Sequence, residues 1–198
     1  MEVEPIRKKE DIKRFYNQLL KNSTPREAEL FLIGCNLALR AGDLLKLKFS
    51  DMTGTHCAIV EQKTKKRKVF PINDNVKAAV QRLKEYYATC RPWKDKEFKP
   101  VYLFQATSNR VYHLTQPVCI QWVSERFKLT AAELGFTVNI NTHTMRKTFG
   151  YHAYEKGRDI HYLQALFNHS SSRITLRYIG VTKSEIEKMY FEDSVDIV

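Results

Sequence analysis

The chain has 198 residues, 43% of them hydrophobic, and 33 Lys and Arg against 22 Asp and Glu give it a formal net charge of +11. That length can bury a core of its own. No apolar run approaches the roughly 18 residues of a membrane span, and the acidic, proline-containing start M-E-V-E-P is unlike a signal peptide, so the expectation is a soluble cytoplasmic protein. Cys35, Cys57, Cys90 and Cys119 form no C-x-x-C pair for zinc or redox work and read as reduced, mostly buried thiols. The basic surplus points instead to nucleic acid, because cationic surfaces release condensed counterions when they meet phosphates. The surplus is uneven: from Thr182 to Val198 five acidic residues (Glu185, Glu187, Glu192, Asp193, Asp196) stand against Lys183 and Lys188. The phosphate-binding surface therefore belongs upstream.

Amphipathic spacing from about Lys9 to Leu20 predicts a first helix, with Ile12, Phe15, Leu19 and Leu20 on one side. A second starts where Thr24 can cap, Pro25 suits the first turn and Glu27 completes a capping box. Its run from Ala28 to Leu39 is apolar nearly all round, as in a central buried helix. It is expected to end at Arg40, with Gly42 and Asp43 allowing a sharp turn into a short helix carrying Leu44, Leu45 and Leu47. Between Thr53 and Ile72, β-branched and apolar residues flank a basic centre, which predicts two antiparallel strands joined by a charged turn, Pro71 marking an edge or an end.

Helical spacing returns from about Asn75 to Tyr87 and from about Gln116 to Leu134, with an irregular stretch between. After Gly135, F-T-V-N-I leads to a helix from about His143 to Lys156, closed by Gly157. A further helix runs from Asp159 to Phe167, and a last short one begins in Ser170 to Ser172 and contains Tyr178. The fold class is mainly α with a small antiparallel β-hairpin (α+β). Residues 1–180 form the working domain, and residues 181–198 an acidic tail whose Ile186, Met189, Tyr190 and Phe191 predict a docking helix.

Five features follow one another along the chain: the arginine of L-A-L-R-A-G-D-L-L-K-L, a lysine in the basic turn, H-T-M-R, N-H-S-S, and a tyrosine nine residues beyond that histidine. Singly each has a plain structural reading: a helix-end arginine, a solvated turn, a surface His–Arg pair, a capping histidine, a core aromatic. Together they suit phosphodiester chemistry without a metal. Arginines match the non-bridging oxygens on which negative charge develops. A tyrosine hydroxyl attacks phosphorus if cations lower its pKa or a base takes its proton, and a lysine can protonate the leaving 5′-oxygen. His56, His113, His152 and His161 have no partner pattern, and no H-E-x-x-H occurs.

From about Ala38 to Tyr178 this order and its wording resemble the tyrosine recombinase (phage integrase) family: L-R-A-G-D-L-L-K-L looks like its first box, and L-Q-A-L-F-N-H-S-S-S-R-I-T-L-R-Y like its second. The resemblance implies the family's catalytic-domain fold and site-specific recombination by integration, excision or inversion. It implies that Arg40 and Arg146 clamp the scissile phosphate, that Lys63, with Lys65 as the alternative, is the general acid, and that His143 assists as base. His169 would hydrogen-bond a phosphate oxygen, and Tyr178 would form a 3′-phosphotyrosyl bond. Asp43 would support the site, while Lys65, Lys66, Arg67, Lys68, Lys147 and Arg173 would contact DNA. No cofactor is expected. The implied partners are double-stranded DNA, further copies of the chain assembling on it from dimer to tetramer, tails linking protomers, and accessory DNA-bending proteins, at the nucleoid and not at a membrane.

The sequence departs from the family at Asn168, where glycine usually precedes the second histidine, at Lys147, where histidine is frequent, and at Asp43, where glutamate is commoner. Only 39 residues precede Arg40, where many members carry a separate DNA-clamping domain. The chain is then a short member, similar in size to the fimbrial invertases, or a fragment of a longer integrase. Rival readings are a type IB topoisomerase, which rejoins the same strand, and a non-catalytic DNA-binding regulator.

Overall fold

The computed structural model describes residues 3–90, 100–108, 114–182, 184, 185 and 187. Its elements are α1 (Lys9–Asn22), α2 (Pro25–Leu37), α3 (Ala41–Leu45), a 3-10 turn (Phe49–Met52), β1 (His56–Val60), β2 (Arg67–Pro71), α4 (Asp74–Thr89), α5 (Ile120–Glu133), α6 (Thr142–Glu155), α7 (Ile160–Phe167) and α8 (Ser172–Ile179). The mainly helical chain with one hairpin agrees with the expectation. β1 and β2 pair antiparallel, His56 opposite Pro71 and Val60 opposite Arg67, so Pro71 closes the strand where its missing N–H costs no ladder bond. No helix among the described residues is long and apolar enough to cross a membrane.

α2 is the central helix, and the reason is compositional: Leu30, Phe31, Ile33 and Leu37 leave it no polar face to show water, and even Glu27 and Glu29 are buried. The rings of Phe15, Phe31 and Phe127 meet 4.8 to 5.7 Å apart, tying α1, α2 and α5 into the main core. A second, smaller cluster holds Ala38, Leu163, Phe167 and Ile179, with Phe149 and Tyr178 packed against it. This second cluster brings the ends of α2, α6, α7 and α8 together. Gly150 permits it: a Cβ there would stand 2.6 Å from Ile179 and 2.8 Å from the Phe167 ring, closer than real contacts allow.

Several expectations need correction. α2 stops at Leu37 because Ala38 turns left-handed (φ 52°), a conformation unusual for a residue with a Cβ, so Gly42 and Asp43 lie inside α3 instead of forming the turn. Thr24 makes no capping bond to the backbone; its hydroxyl donates to the Glu27 carboxylate instead. α5 begins at Ile120, not near Gln116, because residues 116–118 run extended against residues 104–106, with Ala106 N–H donating to Gln116 O and Val118 N–H to Phe104 O. Among the cysteines Cys57 is buried, Cys35 and Cys90 are half-buried and Cys119 is exposed, so the thiols are free but less enclosed than expected. Of the tail's apolar cluster, Ile186, Met189, Tyr190 and Phe191 lie outside the described residues, as does His113.

Candidate functional site

The C-terminal end of α7 organises the site. The last carbonyls of a helix lack intrahelical partners and carry the negative end of its dipole, and here they face cations. Arg146, buried on α6, donates through Nη1 to Ala38 O and through Nη2 to Phe167 O at 3.1 Å, with its guanidinium 4.6 Å from the centre of the Phe167 ring. Arg40, at the N-terminus of α3, reaches the same Phe167 oxygen at 3.5 Å. Lys68, half-buried on β2, donates to Leu166 O at 3.2 Å. The left-handed turn at Ala38 thus does two jobs: its carbonyl holds Arg146, and it redirects the chain so that Arg40 meets α7.

Tyr178, one residue before the end of α8, packs into this cluster. Its ring lies 4.9 Å from that of His169 at 73° and 5.4 Å from that of Phe167, with Lys147 Nζ 5.1 Å above it. Burial raises the phenol above its ordinary value; the charge of Arg146, a hydrogen bond from it, and the charge of Arg40 pull the other way without reversing the outcome. Cations near the phenol therefore do not by themselves deprotonate it.

His169 is held in one orientation. The single hydroxyl proton of Thr175 goes to Ser171 O at 3.2 Å, so Thr175 Oγ1 accepts from His169 Nδ1 at 3.1 Å. Nδ1 then carries the ring proton and Nε2 is left as an acceptor. Burial, followed by the charges of Arg146 and Arg40, lowers His169 below the usual imidazole range. His143 is lowered too, by desolvation and then by Lys147, Arg146 and Arg40, although the residue as a whole is exposed. Both rings are neutral at neutral pH and able to take a proton.

The hairpin meets the cluster at its base. Glu61, whose side chain is 0% exposed, pairs with Arg40 Nη1 at 2.9 Å and accepts from Asn168 Nδ2 at 3.1 Å and Thr64 Oγ1 at 2.5 Å. Burial alone would raise this carboxyl; the Thr64 hydroxyl, Arg40 and Lys68 outweigh it and hold the group below its ordinary value. Asp43 accepts from the Gln62 N–H at 2.8 Å, so it supports the hairpin more than the arginine.

The structure thus gathers Tyr178, Arg40, Arg146 and His169, with His143 within electrostatic reach. Lys63, Lys65, Lys66 and Arg67 are exposed on the turn and first residue of β2, and Arg173 is exposed on α8. The lysine drawn into the cluster is Lys68, pushed down to about 8 by burial and then by the charge of Arg146. Lys147 is buried against the tyrosine ring instead of standing free on the surface. Glu61 was missed by sequence reading, although a lone acid opening the run E-Q-K-T-K-K-R-K was a usable signal. His56 and His161 are exposed, and His152 Nε2 meets Ile6 O at 3.0 Å. Among the described residues no group of three or more His, Cys, Asp or Glu could hold a metal ion. A phenol, two guanidiniums and a neutral imidazole around one point can bind a phosphodiester and transfer it to oxygen.

The sequence profile of the Phage integrase family matches residues 7–185. The chain is 36% identical over 189 residues to the probable integrase/recombinase YoeC of Bacillus subtilis (strain 168), covering 95% of each protein. It is 28% identical over 155 residues to the tyrosine recombinase XerD of Staphylococcus saprophyticus, covering 78% of this chain and half of XerD. The crystal structure of a lambda integrase tetramer bound to a Holliday junction superposes with a TM-score of 0.67 at 16% identity, covering 100% of this chain and 52% of that one.

Proposed function

Because the chain belongs to the phage integrase family, we propose that it is a site-specific DNA recombinase that cuts and rejoins DNA through Tyr178. The observation that carries the reading is the meeting of the Tyr178 phenol with Arg40, Arg146 and His169 at the end of α7. The scissile phosphate takes the place of the Phe167 carbonyl as the shared acceptor of both guanidiniums, whose forked donors fit two non-bridging oxygens. The phenol oxygen attacks phosphorus, its proton passes to an imidazole, and the bond from phosphorus to the 5′-oxygen breaks. His143 fits the role of base, and His169, with Nε2 open and its ring against the phenol, fits it as well. Lys63 on the turn protonates the leaving 5′-oxygen once the hairpin closes on DNA. The products are a 3′-phosphotyrosyl bond and a 5′-hydroxyl, and the reverse step reseals the strand with the linkage energy conserved.

Lys65, Lys66, Arg67, Lys68 and Arg173 are proposed to meet the DNA backbone beside this centre, with Lys147 supporting the tyrosine ring. Exchange between two duplexes needs several phenols, hence self-association on DNA, in keeping with the tetramer of lambda integrase. Residues 1–180 form the catalytic domain in this reading and residues 181–198 a docking tail, acting on nucleoid DNA in the cytoplasm. A duplex nicked next to the cleavage site loses its leaving fragment and should trap a covalent protein–DNA complex. Tyr178→Phe should bind the same DNA and trap nothing; a covalent complex formed equally by this variant would remove Tyr178 as nucleophile.

A further inference from the structure

The hairpin, α3 and the α7–α8 junction are far apart in sequence, yet each supplies one side chain to a single buried carboxylate. Glu61 receives Arg40 from the start of α3, Thr64 from the hairpin turn and Asn168 from the residue before His169. The turn itself is closed on Glu61, whose N–H donates to Lys66 O while Lys65 N–H donates to Glu61 O. Asn168 is left-handed (φ 53°, ψ 47°), a conformation that glycine or asparagine adopts with least strain, and only asparagine of the two offers an amide to Glu61. The departure from glycine at Asn168 and the acid at position 61 therefore form a matched pair. A buried carboxylate so placed also offsets the mutual repulsion of Arg40, Arg146 and Lys68 around the end of α7.

We infer that Glu61 is a positioning residue of the cleavage site: its carboxylate sets Arg40, the turn bearing Lys63 and the segment bearing His169 in one mutual register. This rests on the recombinase reading. It acts through Arg40 and the turn, so its loss should slow the chemical step more than it weakens DNA binding.

The test uses the full chain on the nicked duplex at saturating protein, with Glu61→Gln and Glu61→Asp, and a second duplex in which a methyl group replaces one non-bridging oxygen of the scissile phosphate. Glu61→Gln keeps size and removes charge; it should bind DNA as the wild type does and cleave on the order of 10- to 100-fold more slowly. Glu61→Asp, which keeps the charge with a shorter reach, should recover part of the rate. On the methyl-substituted duplex the gap between wild type and Glu61→Gln should narrow, because Arg40 then meets less negative charge. Glu61→Gln cleaving as fast as wild type, or losing equal rate on both duplexes together with a lower melting temperature, would overturn the inference. If Glu61→Gln does not fold, Asn168→Gly decides: it keeps the left-handed backbone and should slow cleavage in the same sense, and an unchanged rate would overturn the proposal. A wild type that never traps DNA defeats the recombinase reading itself, whereas a trapping wild type matched by its variants defeats only this inference.

Discussion

Burial keeps the Tyr178 phenol above its ordinary value of 10.0 against the pull of Arg146 and Arg40, so the attack on phosphorus proposed for it requires a base at neutral pH. The Thr175 hydroxyl, by fixing the proton of His169 on Nδ1, leaves Nε2 free for that role. Thr175→Val keeps the shape and removes the relay; trapping on the nicked duplex should fall by roughly 10- to 100-fold, within the range of general-base effects, with DNA binding retained in gel-shift assays. In the wild type the acid limb of cleavage should lie below the ordinary imidazole value of 6.5, since His169 is lowered by burial and two arginines. Lys68 yields a stability prediction. Its folded value of about 8 lies below the ordinary 10.5. Below pH 8 the lysine is charged in folded and unfolded chains alike and its crowding is fully felt; between the two values the folded chain sheds a proton that the unfolded chain keeps, and stability rises. Lys68→Met should therefore melt above the wild type at pH 7, and the difference should shrink between pH 8 and 10.5. A difference constant with pH would show that Lys68 is not the titrating group.

Among the elements, α8 owes its position to Gly150 on α6, over which Ile179 and the Phe167 ring close. Gly150→Ala should push α7 and α8 outward, costing about 1–3 kcal/mol as overpacking does in chemical unfolding, and should abolish trapping because Tyr178 sits one residue before Ile179. Full trapping by this variant would mean that the close approach of α6 and α8 does not place the phenol. The hairpin behaves differently: it packs its base, through Glu61 and Asp43, and leaves its tip exposed. That division suits the role proposed for Lys63, which needs an exposed tip on a fixed base.

For the whole molecule, residues near the start of the chain reach both α6 and the residue that follows α8. Ile6 N–H donates to Thr148 Oγ1 at 2.9 Å, and Arg7 donates to Gly180 O at 2.6 Å and pairs with Glu185. Arg7 thereby ties both the end of α8 and Glu185 of the acidic tail to the start of the chain. Deleting residues 181–198 should leave trapping on a single nicked site intact but abolish exchange between two sites and the larger complexes on native gels; unchanged exchange would end the docking proposal. Element order, the hairpin and the five chemical features were legible in the sequence because helical spacing, strand composition and short motifs are local properties. The helix end expected at Arg40 lies at Leu37, because Ala38 adopts a left-handed conformation that local preference disfavours in a residue with a Cβ. Glu61 as the shared partner and Lys68 as the lysine drawn inward were decided only by the tertiary structure. Each depends on which distant segments share a desolvated space, where burial and charge act between residues that sequence spacing does not relate.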